Sequence, residues 1–558
     1  MPQTDPVESL ADPAALLTAP GAPFAVTTGP DGRRTYADGP RTLREFAEVT
    51  WAYGERPFLV AEERTYTYGE FFAAACALAR RFTEVYGLRR GDRAVVAMRN
   101  HPEWQIAFWA TQLAGLVAVP LNGWWTEEEF RYALDDCRPR LLLVDGERVA
   151  RVRDWATAHA AHLLVFHAEH GEAEERYEEL PAADPALGPP EVDVRPEDDA
   201  TIIYTSGTTG RPKGAVATHL AQAGAAANPR YHAALAALQA GTVPGLGPAP
   251  VSLTTFPFFH VAAFTSVYAV MAAGGTLVMM RKWDARRALD LIHAHGVTHY
   301  AGVPTTALQL LDAAEADPRG LGPLTLLSTG GAAAPPGIAA RCTGPVEPRN
   351  GYGLTETSGG VLSHAGDDYR LHPGAVGRPT PATEVRVAGA DGEPVADGEV
   401  GELWLRGQSL VRGYWEDPEA TAAAFTPDGW FRTGDLATVD EGGRVAIVDR
   451  LKDMVIRGGE NVYCVEVETA LHGHPDVLDA AVLGVPHPRL GEEVAAVVRL
   501  REGAAADEEE LRAHVAGSLA PFKVPAHIRL QQAPLPRNAT GKVLKRELRA
   551  GLADGPDE

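Results

Sequence analysis

Between Thr42 and about Val144 the apolar positions switch repeatedly between two spacings. Three- and four-residue spacing marks helices over Leu43 to Trp51, Phe71 to Phe82 and Glu103 to Ala114, and another that starts at Thr126. Short apolar runs between them, Arg93 to Met98, Val117 to Leu121 and Arg140 to Val144, read as strands, and Phe58 to Tyr68 reads as a hairpin. Strands alternating with helices predict a parallel sheet covered on both faces. Residues 168–198 are charged and proline-rich, with little periodicity, and read as a surface connection. A second α/β series runs from Thr201 to about Arg349.

The texture changes after Leu371. Short strands at Thr383 to Val387, Glu402 to Arg406 and Arg444 to Val448, separated by Gly, Pro and Asp turns, predict a small β-rich lobe. Beyond Asp449 the pattern becomes α+β, with helices at Cys464 to Leu471 and Asp507 to Leu519 and strands at Asp479 to Gly484 and Glu493 to Leu500. The predicted fold class is therefore α/β: a large N-terminal region, 1–449, of two α/β subdomains plus a β-rich lobe, and a small C-terminal α+β domain, 450–558. No internal repeat is present, and the Ala-rich piece Ala221 to Ala240 is the one low-complexity stretch.

The 558 residues exceed one ordinary core, and 51 Lys plus Arg against 74 Asp plus Glu give a net charge of −23. That balance excludes a nucleic-acid partner, which needs a basic face, and obliges any anionic ligand to be met by local groups. The four cysteines, Cys76, Cys137, Cys342 and Cys464, are scattered without metal-ligand spacing, so neither a disulfide framework nor a structural zinc site is expected. The first twenty residues lack a basic stretch followed by an apolar one and read as a mobile tail rather than a signal peptide. Pro257 to Met280 is apolar but contains His260 and Gly274-Gly275, which fits buried strand, turn and helix better than a membrane span. The expectation is a soluble, cytoplasmic protein with no integral membrane association.

The segment Tyr204-Thr205-Ser206-Gly207-Thr208-Thr209-Gly210-Arg211-Pro212-Lys213-Gly214 follows an apolar strand, Ala200 to Tyr204. Its three glycines and five hydroxyl side chains supply donors with little bulk, as a polyphosphate cradle requires, and Lys213 adds a mobile positive charge. It is not a Walker A loop, because Pro212 stands where that motif needs glycine and Gly214 rather than Ser or Thr follows the lysine. Further along come Gly351-Tyr352-Gly353-Leu354-Thr355-Glu356-Thr357, Trp430-Phe431-Arg432-Thr433-Gly434-Asp435-Leu436, Asp449-Arg450-Leu451-Lys452-Asp453 and Asn538-Ala539-Thr540-Gly541-Lys542. In this order and over nearly the whole chain, the five segments resemble the adenylate-forming superfamily of acyl-CoA synthetases, nonribosomal-peptide adenylation domains and beetle luciferases.

The resemblance implies an ATP-dependent carboxylic acid:CoA ligase. An acid would react with MgATP to give acyl-AMP and pyrophosphate, and the acyl group would then pass to coenzyme A. It places Thr205, Ser206, Gly207, Thr208, Thr209 and Lys213 at the phosphates and Asn350, Gly351 and Tyr352 beside adenine, where the tyrosine ring offers a stacking face. Thr355 would hold the α-phosphate, and Glu356 would bind Mg²⁺ through a hard carboxylate oxygen. Asp435 would accept from the ribose hydroxyls, and Arg450 would reach ribose or phosphate. Taken singly, those two read as surface ion-pair residues, and Lys542 as a solvated lysine beside Lys545 and Arg546. In the family setting Lys542 spans the carboxylate and α-phosphate during pyrophosphate displacement.

His260, in Pro257-Phe258-Phe259-His260-Val261-Ala262-Ala263-Phe264, would alone read as a satisfied core histidine. In resembling CoA ligases this position lies near the acid carboxylate. The Phe-Asp start that amino-acid adenylation domains show there is missing, which points to an acid without an α-amino group. Thr329-Gly330-Gly331-Ala332-Ala333 stands where the family forms a wall of the acyl pocket and approaches adenine. Gly331 and Ala332 then leave space for a bulky or long apolar acid, or the segment is only a tight turn. Lys452 matches the family's hinge, about which the small C-terminal domain moves, and Gly458 and Gly459 would then face the pantetheine arm of coenzyme A. Two rival functions stand beside this one: a ligase that loads a carrier-protein phosphopantetheine, and a catalytically silent acyl-nucleotide binder. The acid itself (fatty, terpenoid or sterol side-chain, aryl) is left open, as is a homodimer.

Overall fold

The computed structural model describes residues 12–29, 31–62, 64–168, 175–205, 211–335, 337–538 and 542–553. Local chemistry sets several helix starts. Thr42, Thr67 and Thr126 each accept from the backbone N–H three residues on, while Glu45, Glu70 and Glu129 reach back to the cap, closing the reciprocal pair that satisfies two orphan donors. The helices Leu43–Thr50, Tyr68–Arg80 and Glu127–Cys137 follow.

The fold is α/β, with several sheets and a small C-terminal unit. Among the described residues a seven-stranded sheet runs Gly413–Tyr414, Lys213–Thr218, Asp199–Thr205, Val117–Pro120, Arg93–Ala97, Leu141–Asp145 and His162–Phe166. Its pairings are parallel from Asp199–Thr205 onward and antiparallel at the other edge. A nine-stranded sheet runs Arg378–Pro379, Gly359–Ala365, Glu347–Leu354, Leu326–Thr329, His299–Gly302, Val251–Thr254, Thr276–Val278, Pro57–Val60 and Thr65–Thr67. The helix Pro102–Leu113 is buried at every position. Its Trp104, Phe108 and Trp109 share one cluster with Phe58, Phe71, Phe264 and Tyr268, which is why its sequence carries no polar face.

Two assignments by order along the chain are corrected. The hairpin Phe58 to Tyr68 falls within the first α/β series in chain order, but Leu59 and Val60 pair with Leu277 and Val278 in the second sheet. Thr201 was read as the start of the second series, yet Ala118 pairs with it in the first. The expected N-terminal tail is corrected in part. Residues 1–11 lie outside the described residues, but Pro13–Thr18 is a short helix whose Leu17 packs with Phe24, Tyr36 and Tyr231. The Ala-rich stretch forms the long helix His219–Gln239.

The second sheet has two dissimilar faces. Leu253, Tyr300 and Leu327 point into a cluster with Leu289, Ile292, Leu310 and Leu311 of the helices Ala285–His295 and Pro304–Glu315. The alternate positions Thr254, Ala301, Ser328 and Arg349, aligned by register, therefore lie on the opposite face, which the helices His219–Gln239 and Val261–Ala272 cover. A four-stranded antiparallel sheet, Thr383–Ala388, Gly401–Gly407, Phe431–Val439 and Val445–Arg450, forms the β-rich lobe. The C-terminal sheet is built on Val477–His487 and Gly491–Leu500, with Glu460–Val462, Val455–Arg457 and His527–Gln531 at its sides. No helix among the described residues is long and apolar enough to cross a membrane.

Candidate active site

Strand pairing sets the first contacts. Asp435 and Arg450 are register partners on adjacent antiparallel strands, which brings their side chains to 3.3 Å, Nε to Oδ1. The other Asp435 oxygen accepts from the Tyr352 hydroxyl at 2.5 Å, across from the nine-stranded sheet. Burial, followed by the Asp435 charge, pushes the Tyr352 phenol well above its usual pKa, so the tyrosine is the donor. Asp435 is buried, with both oxygens engaged, yet an ionised carboxylate has about four acceptor sites and keeps capacity for ligand hydroxyls.

Beside this triad Glu356 Oε1 accepts from the Tyr414 hydroxyl at 2.8 Å. The second carboxylate oxygen accepts from no other residue among the described ones. Burial raises the pKa of Glu356, while Tyr414, the residue's own backbone N–H and the charge of Arg450 oppose the rise. The ring of Tyr414 also receives Lys213, whose Nζ stands 5.5 Å from its centroid. Tyr414 thus joins Glu356 to Lys213. Nothing in the sequence pattern marked it, because both partners lie far away along the chain. Thr205 ends the strand before the glycine-rich loop, half-buried. Ser206, Gly207, Thr208 and Thr209, expected at the phosphates, lie outside the described residues, as do Thr540 and Gly541 of the last segment.

Lys542 comes to the same place from near the end of the chain. Its N–H donates to Asn538 Oδ1 at 2.9 Å and its carbonyl accepts from Asn538 N at 2.9 Å, which ties Lys542 to Asn538. Burial, then the positive charges of Arg450 and Lys452, lower its pKa from 10.5 to about 8, against the pull of Asp453 and Asp435. Lys452 lies on an exposed turn whose frame is Leu451 N to Gly434 O at 2.8 Å and Asp453 N to Arg450 O at 2.9 Å. Asp449 accepts from the backbone N–H of Cys464 and, at 2.7 Å, from that of Arg450, and burial raises its pKa to about 6.

His260 caps the helix Val261–Ala272, with Nδ1 accepting from Ala262 N at 3.2 Å. Desolvation lowers its pKa to about 4, so at neutral pH the ring is uncharged, with Nδ1 as acceptor and an Nε2–H that makes no hydrogen bond among the described residues. Gly331 has φ +79°, and a Cβ there would meet only Val303 at 3.9 Å and Phe256 at 4.0 Å. Ala332 is exposed beside it. Asn350 is buried and spends Nδ2 on the Ala375 carbonyl at 3.3 Å, which makes it a strut under Gly351 and Tyr352. Thr355 opens a short turn that runs to Thr357, ahead of Ser358 in the left-handed region. Gly458 and Gly459 form an exposed hairpin turn, both at positive φ, next to an Arg457–Glu493 ion pair.

The structure therefore gathers Tyr352, Glu356, Asp435, Arg450, Lys542 and, through Tyr414, Lys213. Residues 46–415 match the sequence model of the AMP-binding enzyme family, and residues 466–542 that of the AMP-binding enzyme C-terminal domain. A feruloyl-CoA synthase from an Amycolatopsis species is 37% identical over 489 residues, 87% of this chain and 93% of that protein. The ATP-bound MatB structure from Rhodopseudomonas palustris superposes with a TM-score of 0.79 at 30% identity, covering 91% of this chain and 99% of that one. The o-succinylbenzoate CoA synthetase MenE from Bacillus subtilis, solved with its acyl-adenylate OSB-AMP, gives 0.75 at 28%, covering 90% and 97%.

Proposed function

Because the chain belongs to the AMP-binding enzyme family and is an AMP-forming acid–thiol ligase that uses ATP and coenzyme A, we propose that it activates a bulky or long acid with an apolar body and no α-amino group. The observation that carries this reading is the approach of Lys542 to Asp435 and Arg450, the pair that meets the Tyr352 hydroxyl.

ATP would lie with adenine against Tyr352 and ribose hydroxyls on Asp435, Arg450 reaching ribose or phosphate from the same side. Asn350 holds the strand beneath. The acid would place its carboxylate near His260 Nε2–H, its body running past Gly331 and Ala332. The attacking carboxylate oxygen forms a bond to the α-phosphorus as the bond to pyrophosphate breaks. Charge accumulates on the phosphoryl oxygens, and the protonated Lys542 amine, its backbone tied to Asn538, stabilises it without having to reorganise. Thr355 would hold the α-phosphate, and Lys213 with the glycine-rich loop the leaving pyrophosphate.

Mg²⁺ fits this set of donors: Glu356 is a hard oxygen ligand fixed by Tyr414 at one oxygen and open at the other, and a cation there offsets the burial that raises its pKa. When bound, Mg²⁺ supplies charge neutralisation for the triphosphate.

In the second half-reaction the C-terminal unit, residues 450–558, would turn about Lys452 away from the adenylating arrangement. The Gly458-Gly459 turn would then border the pantetheine arm, whose thiolate attacks the acyl carbonyl and expels AMP. A panel of aryl, fatty and terpenoid acids, assayed for pyrophosphate release and for acyl-CoA, tests the reading. Best turnover of acetate or of a free amino acid overturns the acid assignment, and transfer to acyl carrier proteins in preference to CoA overturns the acceptor.

A further inference from the structure

One cation on the inner face of the nine-stranded sheet has no ion-pair partner among the described residues, although the charge of Glu347, two residues before it, works against the effect of its burial. Arg349 lies three residues before Tyr352, between register neighbours Ser328 and Ala365. Its guanidinium makes no hydrogen bond or ion pair among the described residues, and its Nε is closed off from solvent. Guanidinium does not deprotonate in proteins, so burial that lowers its pKa leaves a charge in search of an acceptor.

Two histidines share the place. His299 is on the same sheet face, two residues before Ala301, which aligns through Ser328 with Arg349. His232 is one helical turn beyond Asn228, whose Nδ2 donates to Gly360 O at 3.1 Å and so seats that turn against the neighbouring strand. Burial first and the Arg349 charge second bring His299 to about 4 and His232 to about 3, so both rings are neutral near pH 7. The residues on this face nearest Arg349 in register, Ala301, Ser328 and Gly351, are small. The helix that His260 caps crosses it too, with Thr265 Oγ1 3.2 Å from Gly360 N. From Gly353, beside Gly360 in register, to Arg349 the strand runs four residues, roughly 13 Å at about 3.3 Å each, which is the length scale of an aryl-alkenoic or medium-chain acid.

We propose that Arg349, with His232 and His299, forms the far end of the acid pocket and binds an oxygen acceptor that the substrate carries at the end remote from its reacting carboxylate: a second carboxylate, a sulfonate or a phenolic oxygen. The proposal rests on the ligase reading above and refines its substrate to an acid with an apolar body and a polar tip. A site built to hydrogen-bond an oxygen discriminates strongly, because a methyl-tipped analogue leaves its polar groups unpaired.

Matched acids test it: octanoate against suberate, and cinnamate against para-hydroxycinnamate, each assayed for AMP and acyl-CoA formation with the full-length enzyme. In at least one pair the oxygen-tipped acid has the higher kcat/KM by roughly 10- to 100-fold, the range of a hydrogen bond to a charged group. Preference for suberate identifies an anionic tip, and preference for para-hydroxycinnamate a phenolic one. Arg349→Met collapses that ratio toward one, and Arg349→Lys retains part of it. Plain acids preferred in both pairs, or a ratio unchanged in Arg349→Met, overturns the proposal. If Arg349→Met does not fold, the wild-type ratios decide alone. Absence of acyl-CoA from every acid refutes the ligase reading itself, whereas turnover of the plain acids without discrimination refutes only the polar tip.

Discussion

Lys542 is held among like charges, and this gives it a measurable signature. In the ligand-free protein, burial with Arg450 and Lys452 brings its pKa from 10.5 down to about 8. The sign follows directly: the charged amine predominates below about pH 8 and is lost above it. kcat/KM for pyrophosphate release, which reports the free enzyme, therefore declines above about pH 8. Bound triphosphate and carboxylate add negative charge and raise the pKa, so the decline in kcat lies at higher pH. Coincident limbs in the two profiles would show that another group titrates. Lys542→Ala removes the charge outright, and adenylation should fall by about 100- to 1000-fold, as for the loss of one transition-state donor. Thioester formation from preformed acyl-AMP should be largely spared, since pyrophosphate has already left. Equal losses in the two half-reactions would remove Lys542 from the role given to it.

At the scale of elements, the turn after Thr329 decides between a pocket wall and a connector. Gly331 at φ +79° adopts a conformation that favours glycine, and Ala332 is exposed beside it. Ala332→Trp should narrow the range of acids, because overpacking a formed pocket costs about 1 to 3 kcal/mol, a loss of roughly 5- to 100-fold. Short acids should suffer least, and an unchanged ratio of long to short acids across an AMP-formation panel would make the segment only a turn. Helices and strands here were legible because burial imposes periods of 3.6 and 2, and the capping threonines mark where helices begin. Which sheet a strand joins was not legible: Leu59 pairs with Leu277, a choice made by shape at long range rather than by either strand's pattern. The same holds in the site. Tyr352, Glu356, Asp435, Arg450 and Lys542 were found through their segments, whereas Tyr414 and Arg349 matter through what they face, and neither stands in a patterned run.

At the scale of the whole molecule, the proposed cycle requires two sets of residues to use the same centre at different times. Lys542 occupies it here, next to Arg450 and Asp435, while Gly458 and Gly459 lie on an exposed turn. A rotation of the C-terminal unit would exchange them, and the proposed pivot is well placed for it. Lys452 is exposed, on a turn tied to the lobe before it by Leu451 N to Gly434 O, and its own N–H holds no backbone carbonyl among the described residues. Below it, Asp449 accepts from Arg450 and Cys464 N–H and so ties the segment before Lys452 to the helix Cys464–His472 of the C-terminal unit. Lys452→Pro fixes φ near −65° and restricts Leu451 as well, without removing a hydrogen bond the turn depends on. Adenylation in the present arrangement should survive, and transfer to CoA should slow, because the backbone change that exchanges the two faces is blocked. Single-turnover measurements of pyrophosphate release and of acyl-CoA formation separate the steps. A thioester step as fast as in the unmodified protein would place the pivot elsewhere, and loss of both steps together would mean that the turn at Lys452 is needed to hold the adenylating arrangement rather than to leave it.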